Sequence, residues 1–486
     1  MSEMYGIINF IVEKYFLGEL QKMEKHTESA KRNSFSSSMG FILAAAGSAV
    51  GLGNIWRFPY LAAKNGGGTF LAVYIVLALT FGFTLLVTEV AIGRKTKQSC
   101  LTAYGKLNKK SGWIGVFASI VPFMILPYYC IIGGWVLKYF TAFVMGGGVQ
   151  AAEKGYFKGF ITSYISPIAF DIIFLAATAF IIYKGVNKGI EAISKVLMPL
   201  LLVAIIGISI FSLTLKGADG RTGIEGFKIF VIPNISGMNA KGFFTVVLDA
   251  MGQLFYSISV AMGIMVTYGS YFKDEDNLMR SVNQIEIFDT LVAFLAGVMI
   301  IPAVYAFLGD EGLQNAGPGL MFVALPKVFA AMGPIGNVIG AAFFLMVLFA
   351  ALTSSMSILE AIVSGLIDHF GWSRAKAVVI ESAVALGLGI LICLGYNAFY
   401  FELKLPNGSV GQILDIFDYI SNNILMPVVA ISTCILIGWI VKPGTIVDEA
   451  TKNGERFGRK HLYIVMVKFI EPVLLLLLLI GSLGLL

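Results

Sequence analysis

The sequence predicts an all-α integral membrane protein with eleven transmembrane helices, and three observations carry that prediction. The 486 residues are 57% hydrophobic and 13% charged, against about 45–50% apolar and about 25% charged in soluble domains. Too few polar residues remain to cover a soluble globule of this size. Apolar runs long enough to cross a bilayer recur along the chain, and they are continuous, not alternating as barrel strands are. Two of them, the first and the sixth, are interrupted by small and hydrogen-bonding residues. Disorder, fibrous repeats and nearly all soluble enzymes are excluded. A net charge of +6 without a long basic run makes no case for nucleic acid.

Residues 1–32 mix Ile7, Phe10, Ile11 and Tyr15 with Glu13, Lys14 and Glu19. The stretch is too short and too charged to span, and it reads as a cytoplasmic tail, either with a helix suited to the membrane surface or disordered. The spans fall near 39–63, 68–93, 113–145, 167–184, 190–215, 243–271, 282–308, 334–367, 375–397, 411–441 and 461–486. Residues 33–486 therefore make one transmembrane domain. Lys and Arg gather in alternate connections: Arg94 to Lys110, Lys184 and Lys188, Lys273 and Arg280, Arg374 and Lys376, Lys442 to Lys460. The positive-inside rule puts these connections and the N-terminus in the cytoplasm of a plasma (inner) membrane protein. Eleven spans then put the C-terminus outside.

The first span reads Gly47-Ser48-Ala49-Val50-Gly51-Leu52-Gly53-Asn54-Ile55-Trp56-Arg57. Three glycines in seven residues weaken a helix by up to about 1 kcal/mol each. Backbone groups freed at mid-membrane must line a cavity or bind something. The sixth span carries Gln253, Ser257, Ser259 and Gly263 near its middle. Interrupted segments at matching places in two halves point to an inverted-repeat transporter, with amides facing an anion and carbonyls a cation. In the eighth span, Ser355 and Ser357 are expected to bond back to their own helix. Thr353 and Ser354 suit a hard cation that needs several oxygens. Glu89, Asp289 and Asp418 are ionisable groups in or near spans, and such groups are functional by default. Cys100, Cys130, Cys393 and Cys434 read as membrane-buried thiols, and His26, His369 and His461 are scattered. No HExxH, GxSxG or Cys/His cluster supports a membrane enzyme.

These residues resemble the neurotransmitter:sodium symporters, in the branch of bacterial amino-acid transporters that includes the bacterial leucine transporter. The resemblance covers roughly 32–486. It rests on AGSAVGLGNIWRFPY in the first span, NGGG at 65–68, Tyr128-Tyr129, Gly189 with Pro199, and LTSS at 352–355. It implies a five-plus-five inverted repeat with helices 1 and 6 broken and helix 11 peripheral.

Two sodium sites are implied. The first uses Ala49, Asn54, Ser257 and Asp289 with the substrate carboxylate. The second uses Gly47, Val50, Ala350, Thr353 and Ser354. Substrate is expected against Ala49, Leu52, Gly53, Ile125, Tyr129, Tyr256, Ser257, Ser259, Met262 and Ile358. Arg57 and Asp418 are the implied outer gate. Arg32 and Asp368, with Phe35, Ser270 and Tyr271, are the implied inner one. Relatives that carry monoamines have an aspartate where Gly51 stands, so a substrate with its own carboxylate is expected. Ala261 replaces the usual glycine of the sixth-helix break, and Phe35 replaces a frequent tryptophan. Ala293 stands where animal relatives have a chloride-site serine, and Asp289 brings a negative charge of its own, so chloride is not expected.

The expected function is sodium-coupled symport of a neutral, hydrophobic or aromatic L-amino acid into the cell. The alternative is a non-transporting receptor of the same fold.

Overall fold

The computed structural model describes residues 34–236 and 238–485. The expected tail helix and Arg32 lie outside the described residues. From Phe35 onward the chain forms one compact unit.

Among the described residues, nine helices are long and apolar enough to cross a membrane. They run Gly68–Thr96, Lys109–Val144, Ser166–Tyr183, Val186–Leu213, Leu278–Leu313, Pro334–Phe370, Arg374–Leu394, Ile413–Ile440 and Lys460–Ser482. A bent pair, Ser38–Ala49 and Gly53–Lys64 at 51°, makes a tenth crossing if it is one span. The sixth expected span is divided into Ala240–Ser257 and Ile264–Ser270, with 258–263 outside any helix.

Helix starts follow local chemistry. Ser37, Asn239, Asn277 and Ser373 each accept an amide of the first turn, from Gly40, Gly242, Arg280 and Lys376, which satisfies donors that have no partner inside the helix. Within the bundle, glycines set the closest approaches. A Cβ at Gly93 would lie 1.9 Å from Val266 O, and one at Gly269 would lie 2.3 Å from Val90 O. The second half of the sixth span, Ile264–Ser270, thus packs backbone to backbone on the second span, as small residues allow in membranes.

Several shorter pieces were not expected from the sequence. Tyr156–Ile161, Gly223–Val231 and Leu325–Ala331 are helical. Leu403–Lys404 pairs antiparallel with Val410–Gly411. These pieces lie in polar or mixed connections, where the apolar periodicity that finds spans carries little information.

Candidate functional site

The two breaks face each other. The first helix ends at Ala49, and Val50 leaves helical geometry with ψ 88°. In the sixth span Ser259, Ala261 and Gly263 all have positive φ, at 56°, 60° and 74°. Ser259 donates to Ser48 O at 3.0 Å, and Ser48 donates to Ser259 Oγ at 3.1 Å. Gln253 Nε2 donates to Gly53 O at 3.1 Å. Side chains of the sixth span thus satisfy backbone carbonyls freed at the first break, as irregular backbone at membrane depth requires.

Asn54, Ser257 and Asp289 converge beside this crossing and are buried. Asn54 Nδ2 donates to Asp289 Oδ1 at 2.8 Å, and Ser257 Oγ reaches the same atom at 2.7 Å and Asn54 Oδ1 at 3.1 Å. Tyr74 OH donates to Asp289 Oδ2 at 3.2 Å. One carboxylate among amide and hydroxyl oxygens fits a hard monovalent cation. Among the described residues no three His, Cys, Asp or Glu side chains form a metal cluster.

A second oxygen cluster lies where the eighth span crosses the first break. Ser354 Oγ donates to Ser48 O at 3.1 Å and Gly47 O at 3.5 Å. Thr353 Oγ1 lies 3.0 Å from Ala350 O and from Phe349 O, and a Cβ at Gly47 would lie 3.2 Å from Thr353 Cβ. Gly47, Thr353, Ser354 and Ala350 are thus brought together, with Val50 buried at the end of the same helix. Ser355 and Ser357 bond back to Leu352 O and Thr353 O, as expected of them.

Between the clusters is a cavity of about 30 Å³. Ala49, Leu52, Gly53, Ile125, Tyr129, Tyr256, Ser257, Ser259, Met262 and Ile358 all border it, and so do Asn54 and Ser354. Gly51, expected to leave room for a substrate carboxylate, borders it as well, and so do Ser48 and Ile264, which were not expected at the substrate. The Tyr129 hydroxyl is buried and has no hydrogen-bond partner among the described residues. A Cβ at Gly51 would lie 3.2 Å from that hydroxyl and 2.9 Å from Ser354 Oγ, so bare backbone leaves this corner open.

The gate residues divide. Arg57 and Asp418 are not within ion-pair distance; Asp418 accepts from Asn422 Nδ2 at 2.6 Å, and Asn422 also reaches Tyr128 OH at 3.1 Å. At the basic end, Phe35 N donates to Tyr271 O, and the Phe35 ring packs edge-on against Phe41, Tyr268 and Tyr271. Phe35, Ser270 and Tyr271 are buried. Ser270 donates to Thr267 O. Asp368 accepts the Ser99 amide at 2.6 Å.

Three groups escaped the sequence reading. Tyr74 reads as one more core aromatic in an apolar run. Gln253 was seen as part of the sixth break but without a partner. Glu360, on the eighth span, accepts Tyr271 OH at 2.6 Å and both Arg374 nitrogens at 2.6 and 2.9 Å, while Arg374 Nη1 also donates to Ile182 O. Its charge inside an apolar run was the available signal.

Broken helices around a closed, oxygen-lined cavity define a membrane carrier, and comparison with known proteins gives its family. The model of the sodium:neurotransmitter symporter family matches residues 32–146 and 165–485, and the chain belongs to that family. It is a transporter and not an enzyme. YhdH, an uncharacterized sodium-dependent transporter of Bacillus subtilis, is 34% identical over 463 residues, covering 93% of this chain and 98% of its own. The sodium- and chloride-dependent GABA transporter 2 of Mus musculus is 25% identical, over 88% of this chain and 76% of its own. The crystal structure of MhsT in complex with L-phenylalanine superposes with a TM-score of 0.81 at 34% identity, covering 93% of this chain and all of that one.

Proposed function

We propose that this sodium-dependent transporter carries a neutral, hydrophobic or aromatic L-amino acid into the cell by alternating access, with two sodium ions and without chloride. The observation that carries the reading is the shared cavity. Fifteen residues from four spans border it, among them Asn54 and Ser257 of one oxygen cluster and Ser354 of the other. Leu52 and Gly53 begin the outer half of the first span, where the first amides have no intrahelical acceptor. With the bare Tyr129 hydroxyl they form a carboxylate end. Ile125, Met262, Ile264 and Ile358 form the other end, where an unpaired charge would cost several kcal/mol. A relative of 34% identity holds L-phenylalanine, which has that chemistry.

The same reading takes Asn54, Ser257, Asp289 and Ala49 as the first sodium site, and Gly47, Val50, Ala350, Thr353 and Ser354 as the second. It counts eleven crossings, including the divided sixth span, with the basic end in the cytoplasm. Sodium supplies positive charge that neutralises the substrate carboxylate in a dry site. Uptake of labelled L-leucine and L-phenylalanine into proteoliposomes tests it. Accumulation under an inward sodium gradient, with counterflow, is expected. Equal uptake in potassium alone would refute the coupling, and binding without counterflow would favour a receptor.

A further inference from the structure

The sixth-span break is held by a side chain that lies outside both oxygen clusters. Glu89, on the second span, is buried, and its Oε1 accepts the Ala261 amide at 2.6 Å. That amide belongs to a residue at φ 60°, a backbone state that suits glycine better than alanine. The other carboxyl oxygen, Oε2, is buried with no partner among the described residues.

Among the described residues no ion pair reaches Glu89. The helix Cys100–Leu107 packs on this part of the second span and presents Cys100 and Tyr104, the latter bonded to Thr433. The tenth span contributes Cys434, which donates to Glu471 of the eleventh. Tyr463, also of the eleventh, is bonded to Thr88. On the inner half of the sixth span, Tyr268 donates to Ser357. Charged groups on the same or neighbouring spans have partners of their own: Glu286 with Arg459, Arg94 with Glu449, Lys106 with Thr96 O, and Asp289 with its three donors. Glu89 is therefore a buried carboxyl with one donor, and that donor is a backbone amide of the hinge.

We propose that Glu89 is a proton-binding site linked to the break of the sixth span. While the break is set, the Ala261 amide faces Oε1 and supports the charged carboxylate. When the segment moves and the amide leaves, no donor remains and the carboxyl takes a proton. A hydrogen bond to the charged form favours it, and a dry carboxylate without donors does not persist. Because linkage is reciprocal, setting the break releases the proton. Ser257 and Ser259 flank the same segment, so ordering it by sodium and substrate drives that release. The inference rests on the sodium-coupled reading above.

The test uses the purified full-length transporter in weakly buffered potassium solution with a pH-indicator dye. Sodium chloride and L-leucine are added, and sodium-dependent thermal stabilisation is followed in parallel. Wild type is expected to release up to about one proton per chain. Glu89→Gln, whose carbonyl can still accept the Ala261 amide, is expected to release none while sodium still stabilises it. Equal release from both proteins would overturn the proposal, as would stabilisation of wild type without release. Absence of stabilisation in wild type would sink the sodium reading and this proposal with it. Should Glu89→Gln fail to fold, dicyclohexylcarbodiimide mapping on wild type decides. Modification of Glu89 in potassium and protection by sodium with L-leucine are expected, and equal modification in both would count against the site. Asp171, Glu381 and Glu471, which also carry buried unpartnered oxygens, serve as comparators.

Discussion

At Gly51 the missing Cβ leaves open the corner between Tyr129 and Ser354. Aspartate there would place a second carboxylate where the substrate's own belongs. Two like charges about 4 Å apart at the reduced dielectric of a buried site repel by about 4 kcal/mol, close to three decades of affinity. Gly51→Asp is therefore expected to abolish L-leucine binding, read by thermal shift in sodium; retained binding would argue that the carboxylate sits elsewhere. Asp289 leads to a prediction about anions. Its oxygens accept from Asn54, Ser257 and Tyr74, and Ala293, one turn on and buried, offers no hydroxyl. Uptake should be unchanged when gluconate replaces chloride. Asp289→Asn should make it chloride-sensitive or abolish it. A severalfold loss in wild type on removing chloride would show that the carboxylate does not supply the negative charge.

The broken sixth span holds two non-glycine residues, Ser259 and Ala261, in the left-handed region. An L-residue in the left-handed region costs about 1–2 kcal/mol, and Ala261 sits there at φ 60°. Ala261→Gly should melt no lower than wild type, because relief of that strain offsets glycine's extra unfolded-state entropy. Ala261→Val should melt several degrees lower, and a Val variant as stable as wild type would mean the segment relaxes freely. At the basic end, Tyr271, Glu360 and Arg374 tie the sixth, eighth, ninth and fourth spans together. Glu360 is fully buried, and the Arg374 side chain is 20% exposed. Removing one partner of such a pair costs about 3–5 kcal/mol, because it strands the other charge. Glu360→Ala should lower the melting temperature clearly and make a cysteine placed at Tyr271 reactive from the basic side. Unchanged reactivity would remove the pair from the closure. These ties also mark what the sequence hides. The break residues were legible because closely spaced glycines and hydroxyls weaken an apolar helix and free backbone groups that must then bind something. Tyr74 and the Glu360–Arg374 pair were not, since a lone aromatic or acid in a span names no partner. The family resemblance implies that Arg57 and Asp418 pair, yet Asp418 is turned to Asn422.

Over the whole molecule, span positions were legible to within a few residues, because twenty apolar residues in a row can do little else than cross. The connections were not, and Tyr139 donating to Phe322 O shows that one of them packs down into the core. The closed cavity between two broken spans bears on energetics. A zwitterionic amino acid entering with two sodium ions moves two positive charges. Each contributes about 2.3 kcal/mol per 100 mV, so potential alone supplies about 4.6 kcal/mol and supports roughly three decades of accumulation. If a proton leaves on each cycle, the net movement falls to one charge and the electrical drive halves. Initial uptake of L-leucine into proteoliposomes should rise when a valinomycin potassium potential makes the interior negative. Charge measured per substrate separates the cases: two without proton exchange, one with it. Electroneutral uptake would contradict two-sodium coupling. A wild-type value of one that returns to two in Glu89→Gln would tie the missing charge to the proton on that residue.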